Sequence, residues 1–252
     1  MRLGIVPYLN AIPLTAGLDC PVYKAAPARL ASLAERNDII LAPTVTSFLE
    51  EGWYLLEGPC IGSWGAVETV KLFFNKTPHP FPLPEGRGRK PAKIYLDEES
   101  LTSAALIRIL ATNQVSLPFP NIEFTKKNRE QADAVLLIGD KTWDNQPFTD
   151  SIDLGAAWTD WKKLPFVWAC WMTRSPETGR VWKEKLAAQT KRNLERLDLL
   201  VEETLPPQPE RTLRYWQRLR YFLGENQKTA VEAFQTEWAK TEKRPKIKLQ
   251  WI

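Results

Sequence analysis

The sequence is short of the residues on which most acid–base and metal chemistry is built. It holds one histidine, His79, in 252 residues. That excludes multi-histidine metal sites and leaves proton transfer to carboxylates, Lys, Tyr, water or the substrate itself. The three cysteines, Cys20, Cys60 and Cys170, are odd in number and far apart, which fits neither a disulfide framework nor a zinc spacing. No metal and no cofactor is expected. No apolar run is long enough to span a bilayer and no signal peptide precedes the first apolar stretch, so the expectation is a cytoplasmic protein with no membrane partner. Charge of one sign is scarce as well. The formal net charge is +4, with 34 basic and 30 acidic residues interleaved, which argues against a nucleic-acid partner. Nothing in the sequence sets the oligomeric state.

Apolar residues make up 44% of the chain and include 11 Trp, enough for a large core and, for most of the indoles, aromatic packing. The rest of the chain is organised around its opening stretch, MRLGIVPYLNAIPL. Leu3 to Val6 reads as a buried strand, and Pro7, which has no N–H to give a ladder, ends it. Tyr8, Leu9 and Asn10 then fall at the carboxyl end of that strand, where open α/β sheets bind ligands. Asn10 is either a turn residue or a ligand contact.

Strands and helices alternate from there. Helices are expected at Ile12–Gly17, Pro27–Arg36 and Thr44–Glu51, and strands at Pro21–Lys24 and Ile39–Pro43. The segment Gly62–Val70 leads into a strand that continues through Phe74. The run 77–91 is dense in Pro and Gly with Arg87, Arg89 and Lys90, and reads as a crossing between lobes. A second alternating unit has strands at Lys93–Leu96 and Ala134–Ile138 and a helix at Ala104–Leu110. Ser100, Thr102 and Ser103 stand at that helix start, as caps or as an anion-binding end. After the strand Leu164–Met172 come helices at Val181–Leu200, Arg211–Leu223 and Gln227–Lys240. The alternation argues for a mostly parallel α/β sheet in a two-lobed clamshell: lobe 1 from 1–76 and 174–252, lobe 2 from 92–165, with crossings at 77–91 and 166–173. The ligand would sit between the lobes.

Several strings along the chain carry a family likeness: Gly4-Ile5-Val6-Pro7-Tyr8-Leu9-Asn10 with Pro13, Asp38 to Pro43, and Ser100-Leu101-Thr102-Ser103 with Leu106, Arg108 and Leu110. Ala132 to Asp140, Asp153-Leu154-Gly155 with Trp158 and Trp161, Leu164 to Val167, and Tyr221 to Gly224 with Phe234 complete the set. In this order, from residue 1 to about residue 240, they resemble chorismate dehydratase of the futalosine route to menaquinone, a family with the type II periplasmic-binding-protein fold. The family usually reads Asp-Gly-Pro-Val before a Ser-bearing strand. Here Trp64-Gly65-Ala66-Val67 stands in that place, followed by Glu68 and by Thr69 where Ser is usual.

The resemblance implies a lyase that removes water from chorismate to give 3-[(1-carboxyvinyl)oxy]benzoate, without a cofactor. Asn10 and Thr69 would be its catalytic residues; Tyr8, Ser100, Thr102, Ser103, Gly139 and Asp140 would bind substrate. Strand alternation would keep Glu68 away from the ligand if Thr69 faces it. Asp140 reads either as a base or as the N-cap of the next turn, Arg108 as an ion-pair former, and Trp64, Trp158 and Trp171 as pocket walls or core. The alternative is a non-catalytic cytoplasmic binding protein for a small aromatic or cyclic carboxylate.

Overall fold

The structure is a computed structural model that describes residues 2–36, 38–75, 91–96, 101–144, 148 and 150–252. His79, Ser100 and most of the basic run 77–91 lie outside the described residues. The elements in chain order are β1 (Leu3–Ile5), α1 (Ile12–Thr15), β2 (Val22–Lys24), α2 (Pro27–Leu33), β3 (Ile39–Pro43), α3 (Thr46–Leu49), β4 (Tyr54–Ser63) and β5 (Val70–Phe74). Then come β6 (Ala92–Leu96), α4 (Leu101–Thr112), β7 (Ile122–Thr125), β8 (Ala134–Ile138), β9 (Ser151–Asp153), α5 (Leu154–Lys162) and β10 (Phe166–Thr173). The chain ends with α6 (Pro176–Leu194), α7 (Leu197–Thr204), α8 (Pro209–Arg218), β11 (Arg220–Phe222), α9 (Glu225–Glu242) and β12 (Gln250–Trp251).

Among the described residues these strands form two sheets. The first has the order β11-β4-β10-β3-β1-β2, with β12 beside the start of β4; the second runs β7-β6-β8-β5-β9. Both are mixed, not mostly parallel. In the first sheet β1 pairs in parallel with β2 and β3, while β10 runs antiparallel to β3 and β4. In the second, β6 is parallel to β7 and β8, whereas β5 is antiparallel to β8 and β9. The antiparallel members are β5, the first strand after the chain enters the second sheet, β10, the first after it returns, and β11, which pairs with β4.

The chain changes sheets earlier than its composition suggests. β5 belongs to the second sheet, and β10, in the span read as a crossing, is an interior strand of the first with all eight residues buried. The passages are therefore the stretches between β4 and β5 and between α5 and β10. The Pro- and Gly-rich run separates two strands of one sheet, β5 and β6, because such residues mark turns whatever elements the turn joins.

β4 carries Gly58, Pro59 and Gly62, which read as breaks, yet it is a ten-residue strand. It stays continuous because its two halves are paired separately on one edge, the first with β12 and the second with β11. At Gly62 a side chain would come within 3.1 Å of the Phe166 carbonyl oxygen and 3.2 Å of that of Arg220, so glycine is the residue that leaves both neighbouring strands undisplaced. The long helix expected at 181–200 is broken into α6 and α7 at Arg196 (φ −136°, ψ 38°), a position with no Gly or Pro to announce it.

An aromatic cluster joins the C-terminal helices to the return strand. Phe166 lies 5.2 Å from Trp158 and 4.9 Å from Phe234, and Phe48 lies 5.3 Å from Phe234, centroid to centroid. Rings at these spacings add to the area they bury. Trp158 and Trp171 are fully buried core residues, whereas Trp64 is half exposed.

One carboxylate ties the two passages together. Asp153 caps α5 by accepting from the Gly155 and Ala156 N–H groups at 2.9 and 3.1 Å, and it also accepts from Val67 (3.0 Å) and Glu68 (2.7 Å) in the first passage. The Thr159 hydroxyl extends the link, accepting from Gly65 N–H at 3.0 Å and donating to the Leu164 carbonyl at 3.3 Å in the second passage. Asp153→Ala leaves all four N–H groups without this acceptor. The expected cost is about 2–3 kcal/mol, a lost cap plus partly buried unsatisfied donors, read as a lower urea midpoint; an unchanged midpoint contradicts it.

Candidate functional site

A cavity of about 70 Å³ lies between the two sheets. The first sheet side supplies Val6, Tyr8 and Asn10 after β1, Pro43 at the end of β3, Ile61 in β4, and Trp168 and Ala169 in β10. The second supplies Val70, Ile138 and Gly139 and the start of α4, Leu101 to Ser103; Val67 and Thr69 come from the first passage. The site thus sits at the carboxyl ends of β1 and β3, where the parallel pair stops and the chain turns.

The opening turn is short and firmly placed. Leu9–Ala11 form a single 3₁₀ turn, and the Trp216 indole N–H from α8 donates to the Leu9 carbonyl at 2.9 Å. Asn10 is therefore both a turn residue and a cavity residue. Its Nδ2 donates to the Tyr215 hydroxyl at 3.4 Å, and Tyr215 Oη lies 2.8 Å from Thr69 Oγ1. Tyr215 and Thr69 are each 2% exposed. Burial pushes the Tyr215 phenol well above the usual range; its hydrogen bonds with Thr69 and Asn10 offset this in part, and the charges of Asp140 and Glu68 add to it. The phenol is a neutral hydrogen-bonding group at any physiological pH.

Thr69 faces the cavity and Glu68 does not, for a reason other than alternation. Both precede β5, and Glu68 takes φ 68° in the turn, so its side chain leaves the passage sideways and pairs with Arg218 of α8. The charge that would have opposed an anionic ligand is thereby held against a cation outside the cavity lining.

Lobe-to-lobe contacts frame the opening. The Val45 N–H, before α3, donates to Thr102 Oγ1 at 3.3 Å, so this hydroxyl is engaged in an interlobe bond as well as lining the cavity. Ser103 beside it is buried and lines the cavity. Tyr8 packs over Gly139, where φ is +64° and an added Cβ would lie 3.2 Å from the tyrosine ring.

Asp140 stands apart from the cavity wall. It is the second residue of the 3₁₀ turn Gly139–Thr142, half-buried, and the N-cap of that turn is Ile138, so the reading of Asp140 as a cap is replaced. Burial, then the nearby Asp144, raises its carboxyl above the ordinary range. Arg108 lies 4.9 Å over the Phe124 ring. Among the described residues, no group of three His, Cys, Asp or Glu is placed to hold a metal ion, and no helix is long and apolar enough to cross a membrane.

Two residues of this site carry no clear mark in the sequence. Trp168, with its indole N–H donated to Ser63 Oγ at 3.1 Å, supplies the flat wall that Trp64, Trp158 and Trp171 do not. Its strand is buried throughout, so no periodicity singles it out. Tyr215 has a legible signal in retrospect. Arg211, Tyr215 and Arg218 recur at helical spacing, and all three turn to one side, onto Trp143, Thr69 and Glu68 respectively.

Gly139→Ala is expected to destabilise the fold by about 1–2 kcal/mol through the left-handed backbone alone. It should also displace Tyr8 from the cavity rim. A chemical-denaturation midpoint equal to that of the unaltered protein contradicts this.

The comparisons with known proteins agree with this architecture. A Bordetella bronchiseptica RB50 protein is similar with a TM-score of 0.61 at 13% identity, over 100% of this chain and 94% of that one. A ligand-binding component of an ABC-type import system from Staphylococcus aureus, solved with zinc bound, gives 0.58 at 7% identity, over 96% and 91%. A Candida albicans gene product described as having the generic periplasmic binding protein structural fold gives 0.56 at 12% identity, over 99% and 97%. At such identities the likeness is one of fold, and it is the two-lobed clamshell expected from the sequence. The family model for menaquinone biosynthesis matches residues 1–240. With nearly its whole length covered, the chain belongs to that menaquinone biosynthesis family.

Proposed function

We propose that the protein is a chorismate dehydratase, a carbon–oxygen lyase that converts chorismate to 3-[(1-carboxyvinyl)oxy]benzoate and water on the futalosine route. The observation that carries this reading is the chemistry of the cavity wall. Among the described residues it holds hydroxyls, an amide, indole and apolar groups, with no carboxylate, imidazole, amine or guanidinium. A site of that kind suits a reaction whose proton acceptor arrives with the substrate.

Chorismate offers such a reaction. A ring C–H proton leaves, the C–O bond of the neighbouring hydroxyl breaks, and the electron pair of the C–H bond completes an aromatic ring. A carboxylate of the substrate takes the ring proton and passes it to the departing hydroxyl, which leaves as water, so the carboxylate is regenerated. Aromatisation supplies the driving force, so the protein has to orient the dianion, hold the departing oxygen and exclude bulk water. Asn10 and Thr69 are assigned to the departing oxygen. Tyr8, Ser103 and the backbone at Gly139 are assigned to the substrate's carboxylates, beside the start of α4, where the helix end favours negative charge. Thr102 is assigned chiefly to holding the lobes together, since its hydroxyl already accepts from Val45. Ser100 keeps its expected role as a carboxylate ligand. Asp140 is dropped as a base because its carboxyl is not on the wall. The apolar face of Trp168 is assigned to the ring.

Purified protein mixed with chorismate should form the carboxyvinyloxybenzoate, followed by chromatography with mass detection. Asn10→Ala should lower kcat by about 10²–10³, the usual loss when a donor or acceptor at developing charge is removed. No product from the unaltered protein overturns the reading. Tight binding without turnover would instead identify a binding protein for a cyclic carboxylate, the role the fold plays in import systems.

A further inference from the structure

The mutual arrangement of Asn10, Tyr215 and Thr69 carries more than their presence in one site. An amide nitrogen only donates, so Tyr215 Oη accepts from Asn10 Nδ2. The two hydroxyls, 2.8 Å apart, could be paired in either direction by distance alone, but Asn10 Nδ2 cannot accept, so among the described residues Thr69 Oγ1 is the partner that can take the proton of the buried phenol. Thr69 then receives a hydrogen bond through its oxygen, and its own proton is turned elsewhere. At the other end of the chain, Asn10 Oδ1 is buried without a hydrogen-bond partner among the described residues. Both Asn10 and Thr69 line the cavity, whereas Tyr215 does not. Trp143 packs edge-on against the Tyr215 ring at 5.4 Å, and the ring stays neutral, so the phenol has neither the freedom nor the charge to act on a ligand itself.

We propose that Tyr215 is a positioning residue that fixes the hydrogen-bond polarity of the site. It turns the Asn10 carbonyl oxygen toward the cavity as an acceptor and the Thr69 hydroxyl toward it as a donor. The ligand group that satisfies both at once is an alcohol, which gives its proton to Asn10 and accepts one hydrogen bond from Thr69. The site thereby selects a cyclic alcohol over an analogue that has only a carboxylate or a carbonyl at that point. Resting on the dehydratase reading, the alcohol is the departing hydroxyl. As its C–O bond lengthens, the charge on oxygen grows and the bond from Thr69 strengthens, while the bond to Asn10 keeps the oxygen from rotating away. No proton has to travel along the chain for this; only the orientations are set.

Two readouts test it. In ¹⁵N-labelled protein, the Asn10 side-chain N–H protons should show cross-relaxation to the Tyr215 ring protons and should shift in Tyr215→Phe. If neither is seen, the amide faces the other way and the proposal is overturned. With chorismate, Tyr215→Phe should lower kcat about tenfold with KM kept within about threefold, the split expected for an interaction felt mainly in the transition state. Because Tyr215 acts through Thr69, the double variant Tyr215→Phe with Thr69→Val should be little worse than Thr69→Val alone. Full additivity, or undiminished kcat in Tyr215→Phe, overturns the proposal. If the unaltered protein does not turn over chorismate, the reaction reading falls by itself, and the cross-relaxation still decides the polarity.

Discussion

The four hydrogen bonds accepted by the Asp153 carboxylate are the constraint on which the rest depends. They bind the first residues of α5 to the passage that carries Thr69, and through Thr159 the same knot reaches the second passage. Gly155 permits this closeness, since a side chain there would come within 2.6 Å of the Gly65 carbonyl oxygen. Two sheets linked by two untied strands would be free to swing. Tied in this way, the passages are held to each other and to α5, and Thr69 is held at the Tyr215 hydroxyl that Asn10 also reaches.

The C-terminal helices complete the site from behind. α8 brings an indole to Leu9, a phenol to Asn10 and Thr69, and a guanidinium to Glu68. A segment more than 200 residues from the opening turn therefore sets the geometry of that turn. The polarity of the cavity arises from the same contacts. Glu68 is drawn away to Arg218, and the described residues of the wall offer neutral donors and acceptors. On the proposed dehydratase reading, such neutral groups would hold the dianion without competing with its carboxylate for a proton.

Much of this architecture is legible in the sequence. The strands β1, β3, β6 and β8 are dense apolar runs with clear stops, and the placement of Asn10 at the end of the first comes from Pro7. The clamshell is implied by two alternating units and by the family likeness. The features that are not legible have physical reasons. β4 is hidden by Gly58, Pro59 and Gly62, which mark a break only when no neighbour pairs across them. The strands β7 and β11 are four and three residues long, and such short segments acquire their conformation from the partner. The lobe crossings are displaced because Pro and Gly report a turn and not its destination. Trp168 stays hidden because its role arises from a distant partner, Ser63, and the helical spacing that marks Tyr215 with Arg211 and Arg218 does not name its partner, Thr69. Thr102 reads as a ligand residue, and the structure adds the interlobe bond to Val45.

The central claim is that the cavity between Asn10, Thr69 and Trp168 is where chorismate loses water. The most direct measurement is a crystal structure of the protein with 3-[(1-carboxyvinyl)oxy]benzoate bound. The account predicts the aromatic ring beside Trp168, the carbon that carried the hydroxyl facing Asn10 and Thr69, and a carboxylate at Ser103 and the start of α4. A ligand bound elsewhere on the molecule, or a cavity that stays without it at saturating concentration, would contradict the account.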